Sequence, residues 1–240
     1  MVTRTLDVVA HHLYGTTLSA ANFESIYNNF SNYRLWQTEW YNNDYFELGD
    51  VILNELISEN ISAFLYWNGV WIHDEGNCLI EISTWEPSAE IKRMTGHYIM
   101  MHYSKFIKNG YKRVDVTENL KAKVGAFKAP DDSKLVVIVS NNTDKEDELN
   151  IPLEYRVVNS SVYQSLESSQ TYMTELGVFT DGMKIPANSL TTIVFELETG
   201  EKGDDETSKT YVYIAVVAVV VLVSVIAGCI MIVKKKKNNV

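Results

Sequence analysis

The chain has 240 residues, a net charge of -10 and 11% aromatic residues, among them five tryptophans and 14 tyrosines. That length holds one large or two medium domains with a sizeable core, and the acidity excludes a nucleic-acid partner, which needs a basic face. Cys78 and Cys229 are the whole cysteine complement, too few for a disulfide framework, a zinc site or a redox motif, so no metal and no cofactor is expected.

Residues 6–107 alternate short apolar runs with helical patterns. Leu6 to His11 reads as a strand, and Ser19 to Asn28 as a helix with Ser19 as N-cap and Phe23, Ile26 and Tyr27 on one face. Arg34 to Thr38 is the next strand and ends on Glu39, set among Trp36, Trp40 and Tyr41. Asp44 to Asn60 is a helix with Phe46, Val51, Ile52, Leu56 and Ile57 along a stripe. Ala63 to Trp67 is a third strand, and Ser88 to Phe106 a third helix closed by Lys108-Asn109-Gly110. Evenly spaced strand–helix units predict a parallel α/β arrangement. The strands end on His12 and Tyr14, on Glu39 and Tyr41, and on Trp67 and Asn68. In a (β/α)8 barrel such ends converge on the active site. Three units cannot close eight strands.

From Tyr111 the period becomes two. Short strands around Val114, Val124, Leu135–Val139, Leu149, Tyr155–Val157, Val178–Phe179 and Leu190–Leu197, with turn clusters between, predict a β-sandwich. Residues 199–210 form an acidic stalk. The stretch 211–233 carries no charge. About 22 residues at about 1.5 Å each cross a hydrocarbon core, which predicts one transmembrane helix. Lys234 to Lys237 then mark 234–240 as a cytoplasmic tail and the large domain as extracellular or lumenal. Near that face Cys229 is either an inert thiol or a palmitoylation site. Sequons at Asn29, Asn60, Asn141 and Asn159 would be glycosylated in a host that glycosylates. The N-terminus has no signal-peptide pattern, so the expected start of the protein lies upstream of Met1.

Together these residues resemble the C-terminal half of glycoside hydrolase family 30, a (β/α)8 barrel joined to a side β-sandwich. His12-Leu13-Tyr14-Gly15 resembles the family's sixth-strand end. Leu35-Trp36-Gln37-Thr38-Glu39-Trp40-Tyr41 resembles the seventh-strand nucleophile segment, most closely that of the xylanase branch, where a His usually stands at Trp40. Ser104 to Val114 resembles the junction into the sandwich, with Asn109 in place of a usual Pro, and Ile185 to Thr192 the entry to its last strand. The resemblance implies that 1–108 are strand–helix units six to eight of a barrel and 109–198 the sandwich. It implies that Glu39 is the nucleophile of a retaining β-glycosidase. His12 and Tyr14 would donate hydrogen bonds to it, Trp67 would floor the sugar and Tyr41 would contact the substrate. The acid/base, an Asn-Glu pair on the fourth strand, has no counterpart in this chain, so the gene model is expected to be truncated at its N-terminus. Glu47, Glu55 and Glu59 are expected to be surface charges on the helix outside the barrel.

The substrate expectation is a neutral β-linked polysaccharide such as xylan. The glucuronoxylanase branch reads a carboxylate with basic residues after the eighth strand. Between Trp67 and Ile91 this chain has no Lys or Arg but has Asp74, Glu75, Glu81, Glu86 and Glu90. Two alternatives stand beside it: a glucosylceramidase-like hydrolase, and a non-catalytic membrane-anchored glycan-binding or adhesion protein. Oligomeric state is left open.

Overall fold

The computed structural model describes residues 7–12, 14, 20–41, 44–72, 77–117 and 120–198, and the backbone of 212–213. Three parallel strands, β1 (Val8–His12), β2 (Arg34–Trp40) and β3 (Ala63–Tyr66), form one sheet in that order. Helix α1 (Ala20–Phe30) links the first two strands and α2 (Tyr45–Asn54) the next two.

Asp44 caps α2, its Oδ1 accepting from the amides of Phe46 and Glu47 at 3.1 and 3.0 Å. The predicted helix to Asn60 is not regular throughout. It passes into a π-helical turn, Glu55–Glu59, and stops at Asn60 in the left-handed conformation. The third predicted helix is shortened. Residues before it instead form a small sheet of β4 (Val70–Ile72), β5 (Ile80–Ile82) and β6 (Ile91–Arg93), and α3 covers only Thr95–Ser104. Ladder pairing of Ile91–Arg93 with β5 takes backbone groups that a longer helix would have needed.

The period-two half folds as antiparallel β-structure. β7 (Lys112–Val114), β8 (Val116–Thr117), β9 (Lys123–Lys128), β10 (Lys134–Asn141), β11 (Asp147–Leu149), β12 (Val157–Leu166), β13 (Thr171–Gly177), β14 (Met183–Ile185) and β15 (Ser189–Leu197) follow in turn. Six of them make one antiparallel sheet, ordered β13-β12-β15-β10-β9-β7. Val178–Phe179 is not a strand; β13, richer in polar residues, occupies the place before it. Strands β11 and β14 form a ladder of their own.

Strand β10 explains how the halves join. Leu135, Val137 and Val139 face one core, with Leu149, Ile185, Ile193 and Phe195. Val136 and Ile138, on the other face, pack with Phe46, Leu48, Val51, Ile52, Leu53, Ile99 and Tyr103 of α2 and α3. Helices α2 and α3 are therefore a layer shared by both sheets, which is why β10 reads as an uninterrupted apolar run. The approach is close: a Cβ on Gly125 would stand 2.8 Å from Leu53 Cδ1. Asp50 of α2 ties down the seam, reaching Lys123 Nζ at 2.5 Å and Ser140 Oγ at 3.3 Å.

The expected membrane span, 211–233, and the basic tail lie outside the described residues except for Val212–Tyr213, whose backbone pairs in parallel with Val116–Thr117 as β16. Among the described residues no helix is long and apolar enough to cross a membrane. Stalk residues 199–210 and Cys229 also fall outside. Cys78 is buried. One sequon is corrected: Asn141 is fully buried, and its Nδ2 donates to the carbonyls of Lys145, Ile185 and Pro186. A glycan on that nitrogen is incompatible with the folded chain.

Candidate active site

Strand β2 departs from simple alternation where the candidate nucleophile sits. Leu35 and Gln37 are buried on the helix side, Gln37 reaching the π-turn. By alternation Glu39 would join them. Instead His11 pairs with Gln37 and His12 with Glu39, so β2 has one extra residue against β1. The same excess appears against β3, where Gln37 pairs with Phe64 and Trp40 with Tyr66. Thr38 is thus the extra residue of a β-bulge, a device that re-aims side chains. Trp40 returns to the helix-side core and Glu39 turns to the opposite face.

That face is where the other sequence-derived residues gather. His12 Nδ1 lies 4.0 Å from Glu39 Oε1, with both side chains partly open to solvent. The Tyr14 ring meets His12 edge-on at 6.2 Å and Tyr41 at 5.8 Å. The Tyr14 hydroxyl is pushed above its ordinary pKa by burial first, then by the negative charge of Glu39 and by Tyr41. Trp67 follows β3, its amide donating to the Trp40 carbonyl at 3.1 Å. With Tyr41, Asn68, Trp71 and Asn77 it lines a pocket of about 240 Å³. All five residues named for the site lie at the C-terminal ends of β1, β2 and β3.

The sequence reading missed two parts of this region. Trp71 extends the aromatic wall and meets Trp85 edge-on at 6.0 Å; both are exposed. Behind the bulge lies a buried polar cluster. Glu55 and Glu59, expected on the surface, are fully buried beneath the sheet, at the two ends of the π-turn. Glu47 is half-buried rather than free on the surface. Gln37 Nε2 donates to Glu55 Oε1 at 3.2 Å, and Gln37 Oε1 accepts the Glu39 amide at 3.3 Å. His11 Nε2 hydrogen-bonds Glu59 Oε1. Burial raises the Glu55 pKa to about 9; the Gln37 hydrogen bond opposes this and the charge of Glu59 adds to it.

No protein-family model matches the chain. Among curated proteins it is 24% identical over 204 residues to glucuronoxylanase XynC of Bacillus subtilis (strain 168), covering 79% of this chain and 46% of that one. A second B. subtilis glucuronoxylanase XynC is 26% identical over 209 residues, again over 46% of its length. Among solved structures, a family 30 endoxylanase from Clostridium papyrosolvens C71 is 25% identical with a TM-score of 0.60, covering 80% of this chain and 49% of that one. The chain is similar to the C-terminal half of the family 30 xylanases. It spans about half the length of the curated relatives it matches. The likeness to family 30 extends through both the parallel strand–helix units and the antiparallel domain, the architecture of its catalytic domains. The family 30 subfamily 8 xylanase of Clostridium acetobutylicum, 24% identical with a TM-score of 0.59, shares that fold.

Proposed function

We propose that this chain presents Glu39 as the nucleophile of a retaining β-glycosidase acting on a neutral β-linked xylan. One observation carries the reading: the bulge at Thr38 turns Glu39 away from the helices into the cluster of His12, Tyr14 and Tyr41. In such a mechanism the carboxylate attacks the anomeric carbon while a second carboxyl about 5–5.5 Å away protonates the departing oxygen, and water then releases the sugar. The nucleophile must stay ionised, which nearby hydrogen-bond donors favour. His12, whose Nδ1 stands 4.0 Å from Glu39, and Tyr14 beside it are the side chains proposed for that role. Trp67 and Tyr41 offer aromatic faces to the sugar.

The acid/base is proposed to lie in polypeptide outside these 240 residues, with β1, β2 and β3 as the last three strands of an eight-stranded barrel. None of the pocket-lining residues Tyr41, Trp67, Asn68, Trp71 and Asn77 carries a carboxyl. None carries a positive charge either. That, with five carboxylates and no Lys or Arg between Trp67 and Ile91, disfavours an acidic sugar here. The neutral substrate therefore differs from the one in the names of the glucuronoxylanase relatives. An anchor within residues 211–233 is proposed, with the lysine tail in the cytoplasm.

A 2,4-dinitrophenyl β-xyloside tests the reading on the chain itself, because its leaving group departs without a proton and so needs no acid. The expected result is at least one equivalent of dinitrophenolate per protein, abolished in Glu39→Gln. Neutral xylotetraose should bind at least about tenfold more tightly than its glucuronosyl-substituted form. No release, or release that survives Glu39→Gln, overturns the reading.

A further inference from the structure

Two irregularities in the backbone meet behind Glu39. The β-bulge interrupts the ladder of β2 at Thr38, and the π-turn interrupts α2 at Glu55. Each is a departure from regular geometry of the kind that collects at functional sites. Their point of contact is the Gln37 side chain, fully buried, with Nε2 on Glu55 Oε1 and Oε1 on the Glu39 amide.

Packing gives no reason for this arrangement. Glu55 and Glu59 are wholly removed from water, and among the described residues Glu55 Oε2, Glu59 Oε2 and His11 Nδ1 have no partner. Apolar residues of similar volume would fill that space at lower cost, because buried carboxyls carry a desolvation penalty that few hydrogen bonds here offset. What the carboxyl does accomplish is orientation. A carboxamide can present either its oxygen or its NH2 group to a neighbour. The Glu39 amide is a donor and needs the oxygen. With Glu55 Oε1 accepting from the NH2 end, the oxygen end is left aimed at the bulge.

We infer that Gln37 and Glu55 are positioning residues for Glu39: a buried carboxyl on the helix orients a buried carboxamide, which holds the bulge that presents the carboxylate. This rests on the reading of Glu39 as nucleophile. Neither residue touches the pocket-side face. His11 and Glu59 border the pair on the same side and complete its buried surroundings.

Trapping with 2,4-dinitrophenyl 2-deoxy-2-fluoro-β-xyloside separates reagent binding (Ki) from covalent labelling (ki), and the attack is sensitive to displacements of about 1 Å. Gln37→Leu is expected to lower ki by roughly 10- to 100-fold while Ki changes by less than about threefold. Glu55→Leu should lower ki in the same way, and Glu55→Gln, which keeps a carbonyl acceptor for the Gln37 NH2, should recover most of the loss. Unchanged ki in folded Gln37→Leu, a loss confined to Ki, or no difference between Glu55→Leu and Glu55→Gln overturns the inference. Should Gln37→Leu fail to fold by circular dichroism, the Glu55 pair decides. If the unmodified chain takes no label, the nucleophile reading fails, and amide hydrogen exchange then tests the positioning alone. Exchange at the Glu39 amide should rise by at least about tenfold in Gln37→Leu or Glu55→Leu; equal exchange in variant and parent overturns it.

Discussion

His102, on α3, and Glu55, at the end of α2, are both fully buried, yet their surroundings treat them differently. His102 Nδ1 meets Thr192 Oγ1 at 2.9 Å and Nε2 meets Ser165 Oγ at 2.8 Å. Thr192 donates its own proton to the His102 carbonyl, so it must accept from Nδ1–H, and Ser165 then donates to Nε2. Ser165 also accepts from the Met173 amide. Every ring nitrogen has a partner, and the cluster locks α3 to β12 and β15. Behind Glu39, by contrast, three polar atoms of His11, Glu55 and Glu59 have none among the described residues. The first cluster behaves as structure. The second holds groups whose burial serves the strand end they support.

The two respond to pH with opposite sign. Burial lowers the His102 pKa from 6.5 to about 3, so below 6.5 the unfolded chain takes a proton that the native chain refuses, and stability falls with pH. Burial raises the Glu55 pKa from 4.5 to about 9, so above 4.5 the unfolded chain releases a proton that the native chain keeps, and stability falls as pH rises. Between 4.5 and 6.5 the slopes cancel.

The largest expected effect breaks the satisfied cluster. His102→Leu leaves Ser165 and Thr192 buried without their ring partner and should cost about 3 kcal/mol in urea unfolding, with little effect on trapping at Glu39 beyond that of lost folded protein. Gly125→Val pushes α2, the helix shared by both halves, off β9, and should cost about 2 kcal/mol by the same measurement. Urea midpoints across pH sharpen the contrast further. Glu55→Gln should flatten the decline above pH 6.5, and His102→Gln the decline below 4.5, each by up to about 1.4 kcal/mol per pH unit. The smallest effect is at the far end of α2, where Asp44→Ala removes the N-cap and should cost about 1 kcal/mol.

Much of this could be read from the residues, because Glu39 stands at a strand end among aromatics and the apolar runs give β1, β2, β3 and β10 directly. The bulge could not, since one inserted residue leaves no mark on composition or period. A trace of it was present: Gln37 shares the parity of buried Leu35, and a polar residue on a buried face asks for a partner. Glu55 and Glu59 follow Val51 at four-residue steps along the buried stripe, yet charge alone pointed them to solvent. Strand β13 escaped because Thr171 to Gly177 is mostly exposed and lacks an apolar face. The small sheet of β4, β5 and β6 escaped because three-residue strands are shorter than any period can register.

The face to which Glu39 points decides its role. Trapping the chain with the fluorinated dinitrophenyl xyloside and locating the adduct by peptide mass spectrometry tests this most directly. A single fluoroxylosyl ester on Glu39, absent from Glu39→Gln, is the predicted result. An adduct on any other carboxylate, or no adduct on the folded chain, would contradict it.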